Sequence, residues 1–211
     1  MRVDPTTYTI TLVTVPRDTQ LEGRSDRIND ALAENNDPAE VVEVVETLTG
    51  VTIEGYMMTT FTGYEDLIDA LGGVTVDIPR TITVPDPSTA DNVTAEKGDN
   101  QTLDGSEALV FARARKEYVD DQDAIRQTNV RTLEIAMIEK VLNQNDLDAN
   151  KSVADLEEFT TTKLPVEDMA ALVLDFVNHK DEVTIYSCTG PYDGGENKDG
   201  LWVIDQDSDT W

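Results

Sequence analysis

Positive charge is scarce in this sequence. Sixteen Lys and Arg stand against 43 Asp and Glu, a formal net charge of −27. A surface so acidic repels nucleic-acid phosphates, and no helix-turn-helix pattern accompanies a basic face, so a nucleic-acid partner is not expected. Cysteine occurs once, at Cys188, which rules out an intramolecular disulfide. No His or second Cys lies near it in sequence, so neither a zinc site nor a nucleophilic pair is indicated. Long apolar runs are missing as well: none approaches the roughly 18 residues of a membrane span, and no signal-peptide pattern is visible. What is present, 39% hydrophobic and 28% charged residues over 211 positions, suits a globular domain with a sizeable core. One domain over 1–211 is expected, with 190–211, rich in Gly and Asp, as a surface tail.

Strand and helix patterns alternate along the chain. Residues 8–15 alternate and are rich in β-branched side chains, which predicts a strand ending at Pro16. Val41, Val44, Val45 and Leu48 recur at helical spacing, with Asp37-Pro38 as N-cap and first helical residue and Gly50 as terminator. Residues 51–61 read as a strand. Residues 64–71 read as a helix with Leu67, Ile68 and Leu71 on one face, broken by Gly72-Gly73, and 74–79 as the next strand. Residues 83–102, rich in Pro, Asp, Thr and Asn, read as a long irregular excursion. Leu109–Arg115 reads as a strand, 123–142 as a long helix, 166–178 as another, and Val183–Cys188 as a short strand. The alternation predicts an α/β fold with a central sheet.

Scarcity makes the arginines informative. Of nine, four fall within 19 residues: Arg113, Arg115, Arg126 and Arg131. On a strand, Arg113 and Arg115 leave the same face while Ala112 and Ala114 allow close packing on the other. Two adjacent guanidiniums repel unless an anion lies between them, and pyrophosphate matches their fork geometry. Surface salt bridges to the abundant carboxylates explain the same spacing. On the following helix, Asp123, Gln127 and Arg131 are spaced i, i+4, i+8, with Arg126 on a neighbouring face; a phosphate cleft and a solvated helix both fit. Arg17, with Asp18, sits where the first strand opens into a loop, the usual place for ligand-binding residues in open α/β sheets. An Arg–Asp turn pair fits equally.

Four segments stand out together: Thr11-Leu12-Val13-Thr14-Val15-Pro16-Arg17-Asp18-Thr19, Arg27-Ile28-Asn29-Asp30-Ala31, residues 63–76 from Gly63-Tyr64 to Thr75-Val76, and residues 103–115 from Leu103-Asp104-Gly105 to Arg113-Ala114-Arg115. In order and spacing, from about residue 3 to 142, they resemble the LytR-CpsA-Psr family. The resemblance implies an α-β-α sandwich with a central mixed sheet and a hydrophobic pocket for a polyprenyl chain, lined by helices at 40–48, 64–71 and 123–142. It implies transfer of a polyprenyl-pyrophosphate-linked glycopolymer to peptidoglycan through a phosphodiester, with release of polyprenyl phosphate. By the same resemblance Arg17, Arg113, Arg115 and Arg126 serve the pyrophosphate. Asp18 orients Arg17, and Asp123 and Gln127 belong to the same site. Arg126-Gln127 matches the family's Arg-Gln pair, with Asp120 or Asp121 upstream. A second register puts Asp123 and Arg126 on the family's Asp-x-x-Arg, leaving Asn129 and Val130 at the pair.

Mg²⁺ is the cofactor the family implies. Family members begin with a membrane helix and a strand bearing an acidic metal ligand, and act at the extracytoplasmic face of the bacterial membrane. This sequence begins downstream of both segments. The expectation is therefore a shortened or degenerate member that binds but transfers poorly, with an unpaired sheet edge beside residues 8–15. A non-catalytic binder of lipid-linked or cell-wall glycopolymer is the main rival, and a transcriptional regulator the lesser one.

Overall fold

A computed structural model describes residues 1–20, 27–35, 37–118, 122–144, 149–190, 194–196, 199 and 202–204. Arg2–Asp4 forms β1 and Thr9–Thr14 forms β2, antiparallel with Val3 opposite Ile10. The β-branched alternation of β2 turns Ile10 and Leu12 inward, 6% and 5% exposed. Next come α1 (Ile28–Asn35) and α2 (Pro38–Thr49). Helix α2 starts where the caps predict: the Asp37 side chain accepts from Ala39 N, Pro38 occupies the first turn, and Gly50 closes the helix at φ +67°. Only Met57–Thr59 of the expected 51–61 strand is extended, as β3.

Helix α3 (Phe61–Ala70) is capped by Thr60, whose hydroxyl accepts from Gly63 N. Gly72 and Gly73, at φ +74° and +79°, turn the chain into β4 (Val74–Ile78). The expected irregular excursion is instead ordered. It contains β5 (Ile82–Pro85) and β6 (Asn92–Ala95), which form a hairpin, and β7 (Gly98–Leu103), which pairs antiparallel with β4. Its Thr residues pair across the strands, as Thr83 with Thr94 and Thr75 with Thr102, so a composition that reads as loop satisfies a two-sided ladder.

The expected strand Leu109–Arg115 is a helix, α4 (Gly105–Arg113). Asp104 and Glu107 form a reciprocal capping box at its start, with Asp104 accepting from Glu107 N. Asp69 of α3 accepts from Gly105 N at 2.8 Å. Helix α4 is apolar on nearly every side, with Ala108 to Ala112 all buried, and this removes the helical period that would identify it. Then follow α5 (Gln122–Leu142), α6 (Ala149–Phe159), β8 (Thr160–Thr162), α7 (Val166–Asn178) and β9 (Thr184–Thr189). Strand β8 pairs with β3. The last strands are β10 (Gly194–Glu196) and β11 (Trp202–Ile204), antiparallel to each other.

Strands β1, β2 and β9 form one sheet in that order. Thr184 N donates to Tyr8 O and Gly190 N to Thr14 O, both at 3.0 Å; the two partners advance together, so β9 runs parallel to β2 and the sheet is mixed. The expectation of an open edge beside residues 8–15 is corrected where β1 covers β2, since β2 is the middle strand.

The chain divides into two compact units. One comprises Met1–Thr11 and Met57–Tyr186, the other Leu12–Tyr56 and Ser187–Trp211. The main core of the first unit joins Ile68, Val74, Ile78, Ile82, Phe111 and Leu133. In the second, Ile28 and Leu48 pack with Val15, Val41 and Val44. The segment expected as a surface tail contributes Val203 and Ile204, 2% and 1% exposed. The apolar strand β11 hides inside a polar composition, and only pairing reveals it.

Candidate anion-binding site

In the second unit, the turn after β2 is built by local hydrogen bonds. Pro16 O accepts from both Thr19 N and the Thr19 hydroxyl, and Thr19 is fully buried. Strand β11 braces this turn: Ile204 N donates to Asp18 O at 2.9 Å, and Gln20 N donates to Ile204 O at 3.0 Å. Helix α1 is tied to it as well, through Asn29 N to Arg17 O and Ile28 N to Thr19 O. On this platform the Asp18 carboxylate lies 3.6 Å from Arg17 Nε and accepts from Arg27 Nη1 at 3.0 Å. Arg27 also donates through Nε to Asp30 at 3.2 Å. That hydrogen bond holds the Asp30 carboxyl below the ordinary carboxylate range against the opposing effect of burial. The Arg17 side chain stays 46% exposed. Arg27, quoted above only as part of a motif, therefore shares Asp18 with Arg17; its scarcity in an acidic chain is the signal that could have singled it out.

The first unit carries the other expected residues. Arg113 ends α4 and Arg115 follows two residues later, beyond the Ala114 cap. Their proximity thus comes from a helix end and not from a strand face. Asp123, in the first turn of α5, collects three partners. It accepts from Arg126 Nε at 2.9 Å and Gln127 Nε2 at 2.8 Å, and Arg115 Nε lies 3.6 Å away. Burial alone would raise its carboxyl, but the Arg126 and Gln127 hydrogen bonds and the two guanidinium charges outweigh it and hold it below the usual range. Asp123 thus contacts Arg126, which belongs to both sequence registers, and Gln127, which belongs to the first. Asp120 and Asp121 lie outside the described residues. Arg131 turns to the Thr128 hydroxyl at 3.2 Å.

Two further residues shape this region. Gln127 is 2% exposed, and its Oε1 has no hydrogen-bond partner. Asn129, 5% exposed, donates to Phe111 O at 3.0 Å and to the Tyr118 hydroxyl at 3.3 Å. It ties the end of α4 to the turn that follows Arg115. Arg113 stacks on Phe61, 4.2 Å from guanidinium carbon to ring centroid. Aromatic support without a carboxylate keeps its charge available.

Mg²⁺ does not fit the described residues. None of their His, Cys, Asp or Glu side chains gather in threes as a cation would need. The two carboxylates beside the arginines, Asp18 and Asp123, each already face two guanidiniums. What each of the two groups can do within its own unit is hold an oxyanion: fixed cations on partly buried carboxylate anchors, with donor edges to spare.

A family model for LytR_cpsA_psr matches residues 1–210. The polyisoprenyl-teichoic acid–peptidoglycan teichoic acid transferase TagU of Bacillus mycoides is 31% identical over 95% of this chain, which spans 64% of that relative's length. The crystal structure of Bacillus subtilis TagV superposes with a TM-score of 0.82 at 23% identity, over 99% of this chain and 81% of that one. A protein from Enterococcus faecalis, solved as a transcriptional regulator, gives a TM-score of 0.80 at 25% identity over 99% of this chain and 75% of its own. The mixed α/β fold is therefore shared with these proteins, and this chain belongs to the LytR-CpsA-Psr family.

Proposed function

We propose that this chain transfers an anionic glycopolymer of the teichoic-acid kind from a polyisoprenyl pyrophosphate to peptidoglycan, at the outer face of the bacterial membrane. The observation that carries the reading is the set of arginines at the family's motif positions, Arg17, Arg113, Arg115 and Arg126, in a chain at −27. The transferase relative supports it. No helix among the described residues is long and apolar enough to cross a membrane.

In this reading an acceptor hydroxyl oxygen attacks the phosphorus that carries the glycopolymer. The new P–O bond makes a phosphodiester, and the bond to the bridging oxygen breaks. Polyisoprenyl phosphate leaves with the bonding electrons, and the hydroxyl proton passes to solvent. The arginines neutralise charge on the non-bridging and leaving oxygens, where fixed donors act most strongly. Asp123 holds Arg115 and Arg126 in place, and Asp18 does the same for Arg17. The lipid tail takes an apolar pocket, since each buried CH₂ contributes about 0.8 kcal/mol. Mg²⁺, implied by the family, would draw its ligands from outside the carboxylates described above.

The test mixes the purified chain with a polyisoprenyl-pyrophosphate-linked saccharide and soluble peptidoglycan strands, with and without Mg²⁺, and follows polyisoprenyl phosphate release. Slow turnover is expected, and Arg115→Ala should reduce it further, by roughly 10²–10³-fold, the usual effect of removing one oxyanion donor. Saturable binding of the lipid donor without any phosphodiester product would instead make the chain a binder.

A further inference from the structure

Arginine pairing in the described residues is uneven. Arg2, Arg17, Arg27, Arg115 and Arg126 each face a carboxylate. Arg80 and Arg113 face none, although acidic side chains outnumber basic ones by 43 to 16. Both lie against aromatic rings instead: Arg113 over Phe61, and Arg80 over Tyr118 at 5.5 Å to the centroid. A guanidinium supported on a ring face retains its in-plane N–H donors and needs no ion pair broken before it meets an anion.

The placement of Arg80 is specific. It follows β4 by two residues and is exposed. The ring it covers belongs to a buried, anchored side chain: Tyr118 is 8% exposed, and its hydroxyl accepts from Asn129. Tyr118 N donates to Arg115 O at 3.0 Å, closing the turn that bears Arg115. Asn129 also donates to the Phe111 carbonyl, two residues before Arg113. Tyr118 and Asn129 thus link the support of Arg80 to the backbone carrying Arg113 and Arg115.

We propose that Arg80, supported on Tyr118, is an additional oxyanion-binding residue beside Arg113 and Arg115, taking phosphoryl oxygens of the donor. The inference rests on the reading of Arg113 and Arg115 as pyrophosphate ligands. Those oxygens belong either to the pyrophosphate or to the first phosphodiester of the glycopolymer, and one chemistry serves both.

Calorimetric titration of the full chain tests it, with inorganic pyrophosphate in one arm and a glycerol phosphate oligomer in the other. Arg80→Ala should weaken binding about tenfold, the scale of one charge-assisted hydrogen bond, with an unchanged melting temperature. Arg80→Lys should recover part of the loss. Tyr118→Leu should weaken binding in the same arm, and if its melting temperature falls, the Arg80 variants alone decide. Loss in both arms assigns Arg80 to the pyrophosphate, and loss with the oligomer alone assigns it to the glycopolymer; either supports the proposal. Wild-type affinity of Arg80→Ala in both arms, with Arg115→Ala weakened, overturns Arg80 and leaves the site standing. Absence of binding by the wild-type chain in both arms overturns the pyrophosphate reading and this inference together.

Discussion

Two carboxyls of the first unit, partly buried Asp123 and buried Glu65, titrate in opposite directions, and the sign of each has a measurable consequence. Asp123 is held low by its arginines and Gln127. Its contribution is therefore present above the unfolded value, about 3.9, and is lost as pH falls through the lower folded value. Asp123→Asn should flatten the acid limb of a stability–pH curve and also loosen Arg115 and Arg126. Glu65 is 8% exposed and raised chiefly by burial, with Asp86, 1% exposed, adding to the effect. Asp86 itself stays low despite burial, because Ser88, Ser106 and Glu65 donate to it. Glu65 stabilises the fold below its unfolded value, about 4.3, and that stability is lost as pH rises through the folded one. Glu65→Gln should therefore exceed the wild type in urea stability at pH 7, with the advantage shrinking toward pH 4. A pH-independent difference would contradict the raised Glu65 carboxyl.

Element by element, the parts legible in the sequence are those whose ends are written locally. Helix α2 has Asp37-Pro38 and Gly50, and α3 ends at Gly72-Gly73; both form where expected. Helix α4 carries an equally explicit start, Asp104 with Glu107, but Leu109, Phe111, Arg113 and Arg115 alternate as a strand would. Burial on nearly every side erased the helical stripe, and tertiary packing decided the outcome. The Arg113–Arg115 pair was identified for the right scarcity and on the wrong backbone. Turn-forming composition hides strands β5, β6 and β7, and the Gly- and Asp-rich sequence around it hides β11. Packing also makes a prediction for α4. A Cβ at Gly105 would overlap the Glu65 backbone, so α3 and α4 must separate to admit one. Gly105→Ala should cost about 1–3 kcal/mol, the usual range for overpacking, read as a fall in melting temperature, whereas the exposed Gly50→Ala change meets no atom and only its positive φ opposes it.

For the whole molecule, net charge and local charge oppose each other. A chain at −27 repels an anionic donor at long range, while fixed guanidiniums attract it at contact. Salt shortens the reach of both, to about 10 Å at 0.1 M, and the long-range repulsion is screened first. The association rate for inorganic pyrophosphate should therefore rise between about 10 mM and 100 mM salt, the reverse of a basic anion-binding protein. Stopped-flow mixing across that range would show it; a monotonic fall would mean that the arginines alone set the approaching field.

The bracing of the Arg17 turn by β11 sets a timetable for biosynthesis. Arg17 leaves the ribosome well before Ile204, and its turn gains the hydrogen bonds that join Ile204 to Asp18 and Gln20 only once Ile204 has been made. At typical elongation rates of about 5–20 residues per second, that interval is roughly 10–40 s. During it the turn has Pro16, Thr19 and α1 to define it, but no strand behind it. A nascent chain thus lacks a finished Arg17 turn until Ile204 has been made.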